Sequence, residues 1–122
     1  MAGLKLLTDL DLYECIKLAW RSAQDQGYSI PPLSDGDSRF TATKGSLVVG
    51  ALAGALAPYC RFDITATAYP DANEVVLQKN KPWLTAGLGG VRTVNRQAAD
   101  LMQAIVSAIQ KAGGKILDLR DF

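Results

Sequence analysis

The 122-residue chain contains no histidine. That absence removes the side chain that titrates near neutral pH and the commonest nitrogen ligand for metals, so Ser-His-Asp and Cys-His catalysis are excluded. Cysteine is nearly absent too: there are two, Cys15 and Cys60, and neither belongs to a CxxC pair. A disulfide framework is not implied, no metal or other cofactor is expected, and both thiols are read as small buried hydrophobes.

An excess of one charge is also missing, with 13 basic against 12 acidic residues and a net charge of +1. The two signs are mixed along the chain, which gives no general pull toward nucleic acid or anionic lipid. Aromatic residues make up 7% of the chain and do not interleave with basic ones as a single-strand nucleic-acid platform requires. The longest apolar run, residues 47–57, is too short and too rich in glycine to cross a bilayer, which takes about 20 residues. The first residues lack the basic segment, apolar core and cleavage site of a signal peptide. No transmembrane segment and a cytoplasmic location are therefore expected.

What is present is ordinary for a globular protein: 48% apolar and 20% charged residues, in a length that suits one domain over 1–122. A first helix is expected from a Thr8 cap to a stop at Gly27, with Asp9 and Asp11 at its positive end and Leu12, Tyr13, Ile16, Ala19, Trp20 and Ala23 on the face toward a sheet. Two prolines make residues 28–37 a loop. Residues 38–44 alternate as a half-buried strand, and residues 61–68 and 74–79 form a hairpin around the turn at Pro70 and Asp71. Ala42, Ala66 and Ala68 point inward there, so either the helices approach closely or a cavity is left. A second helix, capped by Thr93, carries an apolar stripe from Val94 through Leu101 and Ile105 to Ala112 and stops at Gly113. Residues 115–122 read as a final strand or a docked tail. The expected fold is α+β: an antiparallel sheet of about four strands with an N-terminal and a C-terminal helix packed on one face.

Candidate chemistry is sparse. Asp9, Asp11 and Glu14 lie close together, but carboxylates there serve the helix N-terminus. Asp35 and Asp37 flank Gly36 in a fragment too short for an EF-hand. Gly87, Gly89 and Gly90, followed by Arg92 and Arg96, offer backbone N–H groups and guanidiniums to an anion, although the spacing fits neither GxGxxG nor the P-loop. Trp83 can line the rim of a pocket beside them. In the small-residue run, Gly50 and Gly54 have helix-contact spacing, and with Leu52 and Leu56 they form a candidate interface for a protein partner or for self-association. No catalytic group can be assigned. The expected function is a non-catalytic binding or assembly module; the alternative is a small-ligand domain with an apolar cavity or the anion site at residues 87–90, and a carboxylate-based enzyme ranks last.

Overall fold

The computed structural model describes residues 1–45, 60–80 and 88–122, with residues 88–91 described by their backbone alone. In chain order these residues form β1 (Gly3–Thr8), α1 (Leu12–Asp25), β2 (Arg39–Lys44), β3 (Cys60–Ala68), β4 (Asn73–Lys79), α2 (Leu88–Lys111) and β5 (Ile116–Asp121). The strands build one antiparallel sheet in the order β2-β3-β4-β1-β5. Both helices contact each other and share one apolar cluster with the inward side of the sheet. The α+β class is as expected. Among the described residues the sheet has five strands rather than about four, because residues 3–8 form a strand ahead of the first helix.

β1 is the element missing from the sequence-based expectation, and it occupies an inner place between β4 and β5. Its residues alternate: Leu6 and Thr8 are buried, while Lys5 and Leu7 lie on the other face. Thr8 does not cap α1. It ends β1, paired with Asn73 on one side and Ile116 on the other, and its Oγ1 accepts the Leu10 N–H at 3.2 Å. Pairing on both sides holds Thr8 extended, so the capping role passes to Asp11, whose carboxylate accepts the N–H groups of Tyr13 and Glu14 at 3.1 and 3.3 Å.

The remaining elements follow their local signals closely. Phe62, Ile64 and Ala66 of β3 stand opposite Lys79, Leu77 and Val75 of β4, which puts one apolar row against the helices. Gly27 and Gly113, with φ of 86° and 92°, end the two helices in the left-handed region that glycine enters without steric cost. α2 starts at Leu88 rather than at a Thr93 cap. Glycine weakens a helix by only about 1 kcal/mol per residue, and no proline stands between Leu88 and Lys111 to block the extra turn. Residues after Gly114 settle as β5 rather than as a docked tail.

The core is formed by Leu6 of β1, Ile16 of α1, Phe62 and Ile64 of β3, Leu77 of β4, and Leu101, Ile105 and Ile109 of α2, all essentially inaccessible. Each such side chain contributes roughly 1.5–3 kcal/mol on burial. Of the three alanines expected to point inward, Ala42 and Ala66 are buried in this core, and Ala68 is exposed at the end of β3.

Candidate functional site

α1 presents two stripes. The buried one is Cys15, Ile16, Ala19, Ser22 and Ala23. The other consists of Tyr13, Lys17, Trp20, Arg21 and Gln24, which recur at helical spacing and face away from the sheet. The expectation that Tyr13 belongs to the sheet-facing side is thereby corrected: it is 44% exposed, because the small residues Cys15, Ala19 and Ala23 already fill the contact with the sheet. Trp20 lies at the boundary, half-buried against the core.

The segment after α1 folds back over this second stripe. Its two prolines keep it extended, and three contacts hold it in place. Trp20 Nε1 donates to the Pro31 carbonyl at 2.8 Å. Tyr13 Oη donates to Asp35 Oδ1 at 3.3 Å. Ser29 and Thr43 exchange backbone hydrogen bonds of 2.7 and 3.0 Å, which ties the segment to β2. Between helix and segment lies a groove of about 560 Å³, a size that suits small ligands, whose pockets run from about 300 to 1,000 Å³. α1 contributes Lys17, Trp20 and Arg21 to its lining, and the segment contributes Ile30, Pro32 and Leu33. Lys17 is engaged, 3.5 Å from Glu14 and 5.1 Å above the Tyr13 ring. Arg21 makes no ion pair or side-chain hydrogen bond with any described residue.

Two other grooves have some of their polar groups engaged with one another. On the outer face of the sheet, a space of about 550 Å³ contains Asp63, which accepts from Thr41 Oγ1 at 2.9 Å and Asn80 Nδ2 at 3.3 Å. Between the end of α1 and α2 lies a third, of about 600 Å³. There the Lys44 ammonium donates to the Gln26 carbonyl at 2.8 Å, supplying the cation that the last turn of α1 lacks, and Gln26 Nε2 donates to the Asp100 carbonyl at 3.1 Å.

Residues with nucleophilic or acid-base potential gather at the end of the sheet where β2 stops and β3 begins. Lys79 is buried, and its ammonium donates to Asn95 Oδ1 at 2.5 Å. Tyr28 packs against Phe62 at 5.8 Å and donates to Gln97 Oε1 at 3.4 Å, with the Lys44 ammonium 5.0 Å from its ring. Burial pushes the Cys60 thiol up, opposed by Lys44. Burial, then the nearby Cys60 and Asp100, push the Tyr28 phenol well above its ordinary range. Cys15 behaves like Cys60: burial, then Asp11 and Glu14, push its thiol up to about 11. Both cysteines are buried and outside any disulfide, and at neutral pH they are protonated thiols, which are poor nucleophiles.

The residues singled out by sequence fall into three sets. Gly50, Leu52, Gly54, Leu56, Trp83 and Gly87 lie outside the described residues. Gly89 and Gly90 lie in the first turn of α2, not in a loop ahead of it. Arg92 and Arg96 follow one turn apart, both exposed and neither paired with a carboxylate among the described residues. The acidic residues near α1 have structural partners: Asp11 is the cap, Asp9 Oδ1 accepts the Lys115 N–H at 2.7 Å, and Glu14 pairs with Lys17. The sequence-based expectation does not include Lys17, Arg21, Ile30 and Leu33. Their signal was present, as a second helical stripe on α1 followed by a proline pair. No described helix is long and apolar enough to cross a membrane, and the described residues contain no cluster of metal-ligating side chains. Set against known proteins, the chain matches no family model, and no curated protein matches its sequence.

Proposed function

We propose that this protein is a non-catalytic binding module whose ligand is a small amphipathic anion held in the groove between α1 and the proline segment. The observation that carries this reading is Arg21, a guanidinium without a partner beside an apolar wall of Trp20, Ile30 and Leu33. An anionic head accepts from Arg21, with Lys17 close by, and an apolar body lies on the indole and the two aliphatic side chains. The groove is held open before binding by the Trp20 and Tyr13 hydrogen bonds, which lowers the ordering cost of association. The protonated thiols and phenol, and the engaged Lys79 and Lys44, support a binding role over a catalytic one.

The test is titration with straight-chain carboxylates of increasing length, followed by amide and indole NMR shifts. Perturbation of Lys17, Trp20, Arg21, Ile30 and Leu33, growing with chain length and shifted to about tenfold higher ligand by Arg21→Gln, is the expected outcome. Shifts confined to Arg92 and Arg96 move the anion site to the start of α2. An unperturbed Trp20 indole at millimolar ligand refutes the groove.

A further inference from the structure

The free edge of the sheet at β5 has a pattern of its own. β5 pairs only with β1 among the described strands, and it carries Leu117, Leu119 and, just beyond its end, Phe122 at 53, 45 and 43% exposure. Phe122 exchanges backbone hydrogen bonds of 3.0 and 3.2 Å with Gly3. Backbone groups alternate sides along a strand, so those of Arg120 and Asp118, opposite Lys5 and Leu7, also turn toward β1. The N–H and C=O groups of Leu119 and Asp121 consequently face the open edge. An unpaired edge with apolar side chains is a template for another strand.

We infer that β5 is a self-association edge, on which a second copy of this chain docks its own β5 antiparallel across a two-fold axis at Leu119. That register is selected by charge as well as by hydrogen bonding. With Leu119 opposite its own copy, the two outward-facing residues form a doubly hydrogen-bonded pair. Asp118 of each chain then stands opposite Arg120 of the other. Asp118 and Arg120 share the sheet face away from the helices, where they are joined within the chain at 2.6 Å. Across the axis the same two charges meet twice with opposite sign, and the two Leu119 side chains meet on the helix side. Cross-strand pairs of both kinds stabilise an antiparallel sheet. The contact is isologous, so it closes as a dimer and does not propagate.

The experiment is analytical ultracentrifugation of the whole chain over a range of concentrations, with circular dichroism as the check on folding. The wild type is expected to approach the dimer mass as concentration rises. Leu119→Lys, which sets two ammonium groups opposite each other, weakens association by at least about tenfold. Asp118→Arg and Arg120→Asp each put like charges across the axis and are monomers when alone, whereas an equimolar mixture of the two forms a heterodimer. Recovery on mixing shows that the charges act between chains, because a variant that merely misfolds is not rescued by its complement. A wild type that stays monomeric up to about 1 mM, a dimer indifferent to all three substitutions, or a mixture that remains monomeric overturns the proposal.

Discussion

The two edges of the sheet are managed in opposite ways. At the β2 edge, Thr43 spends both its outward backbone groups on Ser29, and the segment that supplies Ser29 continues through Pro31 and Pro32 to close the groove on α1. At the β5 edge no described element covers the strand, and Leu117 and Leu119 remain exposed. The difference teaches that one loop does two jobs. The bridge that covers β2 at Thr43 belongs to the same segment that shapes the proposed ligand groove, so the proposed groove and the proposed assembly edge lie toward opposite edges of one sheet.

The most damaging way to break this contrast is Trp20→Ala. It removes a half-buried indole and the hydrogen bond that holds Pro31, and it is expected to cost about 2–3 kcal/mol in urea denaturation. Amide protection at Ser29 and Thr43 should fall toward that of an uncovered edge, while the Phe122 amide keeps its protection. Unchanged protection at Ser29 would show that the indole does not hold the segment in place.

Alkaline pH comes next, and it acts on the buried thiols and on the Tyr28 phenol. Cys15, Tyr28 and Cys60 all have folded-state values raised by burial, so the unfolded chain loses these protons first. Stability is therefore fully present below the ordinary thiol value of 9.0 and falls as pH rises through the folded value of about 11 for Cys15. Cys15 alone accounts for roughly 2 kcal/mol of that fall. Denaturation curves between about pH 8 and about pH 11 should slope downward in the wild type and less steeply in Cys15→Ala. Parallel curves would remove Cys15 from the account.

Ser29→Pro is smaller and more selective. It deletes the N–H that Thr43 accepts at 2.7 Å, at a cost of about 1 kcal/mol. With β2 partly uncovered, light scattering should show association through that edge in addition to any through β5. The smallest effect on stability is expected for Arg21→Gln. An exposed side chain without a partner changes the unfolding free energy by less than about 0.5 kcal/mol, while carboxylate affinity falls about tenfold. A large stability loss here would mean that Arg21 belongs to the fold and not to a ligand.

Much of the fold was legible from local pattern. Alternation of Phe62, Ile64 and Ala66, the turn at Pro70, and the stripe through Leu101 and Ile105 each encode an element by period alone. β1 escaped because Thr8, Asp9 and Asp11 look like the start of a helix, and only pairing with Asn73 and Ile116 shows that Thr8 belongs to the sheet. The groove escaped for a related reason. Tyr13 and Trp20 satisfy the same helical spacing as Ile16 and Ala19, and periodicity identifies a stripe without saying what will cover it.

Sequence by itself determined the α+β class, the hairpin, the glycine stops of both helices and the absence of histidine chemistry, since these depend on neighbours within a few residues. Tertiary structure alone decided that residues 3–8 form an inner strand, that Lys17, Arg21, Ile30 and Leu33 share one groove, and that Asp118 and Arg120 lie together on a free edge. Those facts depend on hydrogen bonds and contacts between residues far apart in the chain, such as Trp20 with Pro31 and Phe122 with Gly3. Local periodicity carries no information about which distant segment supplies the partner.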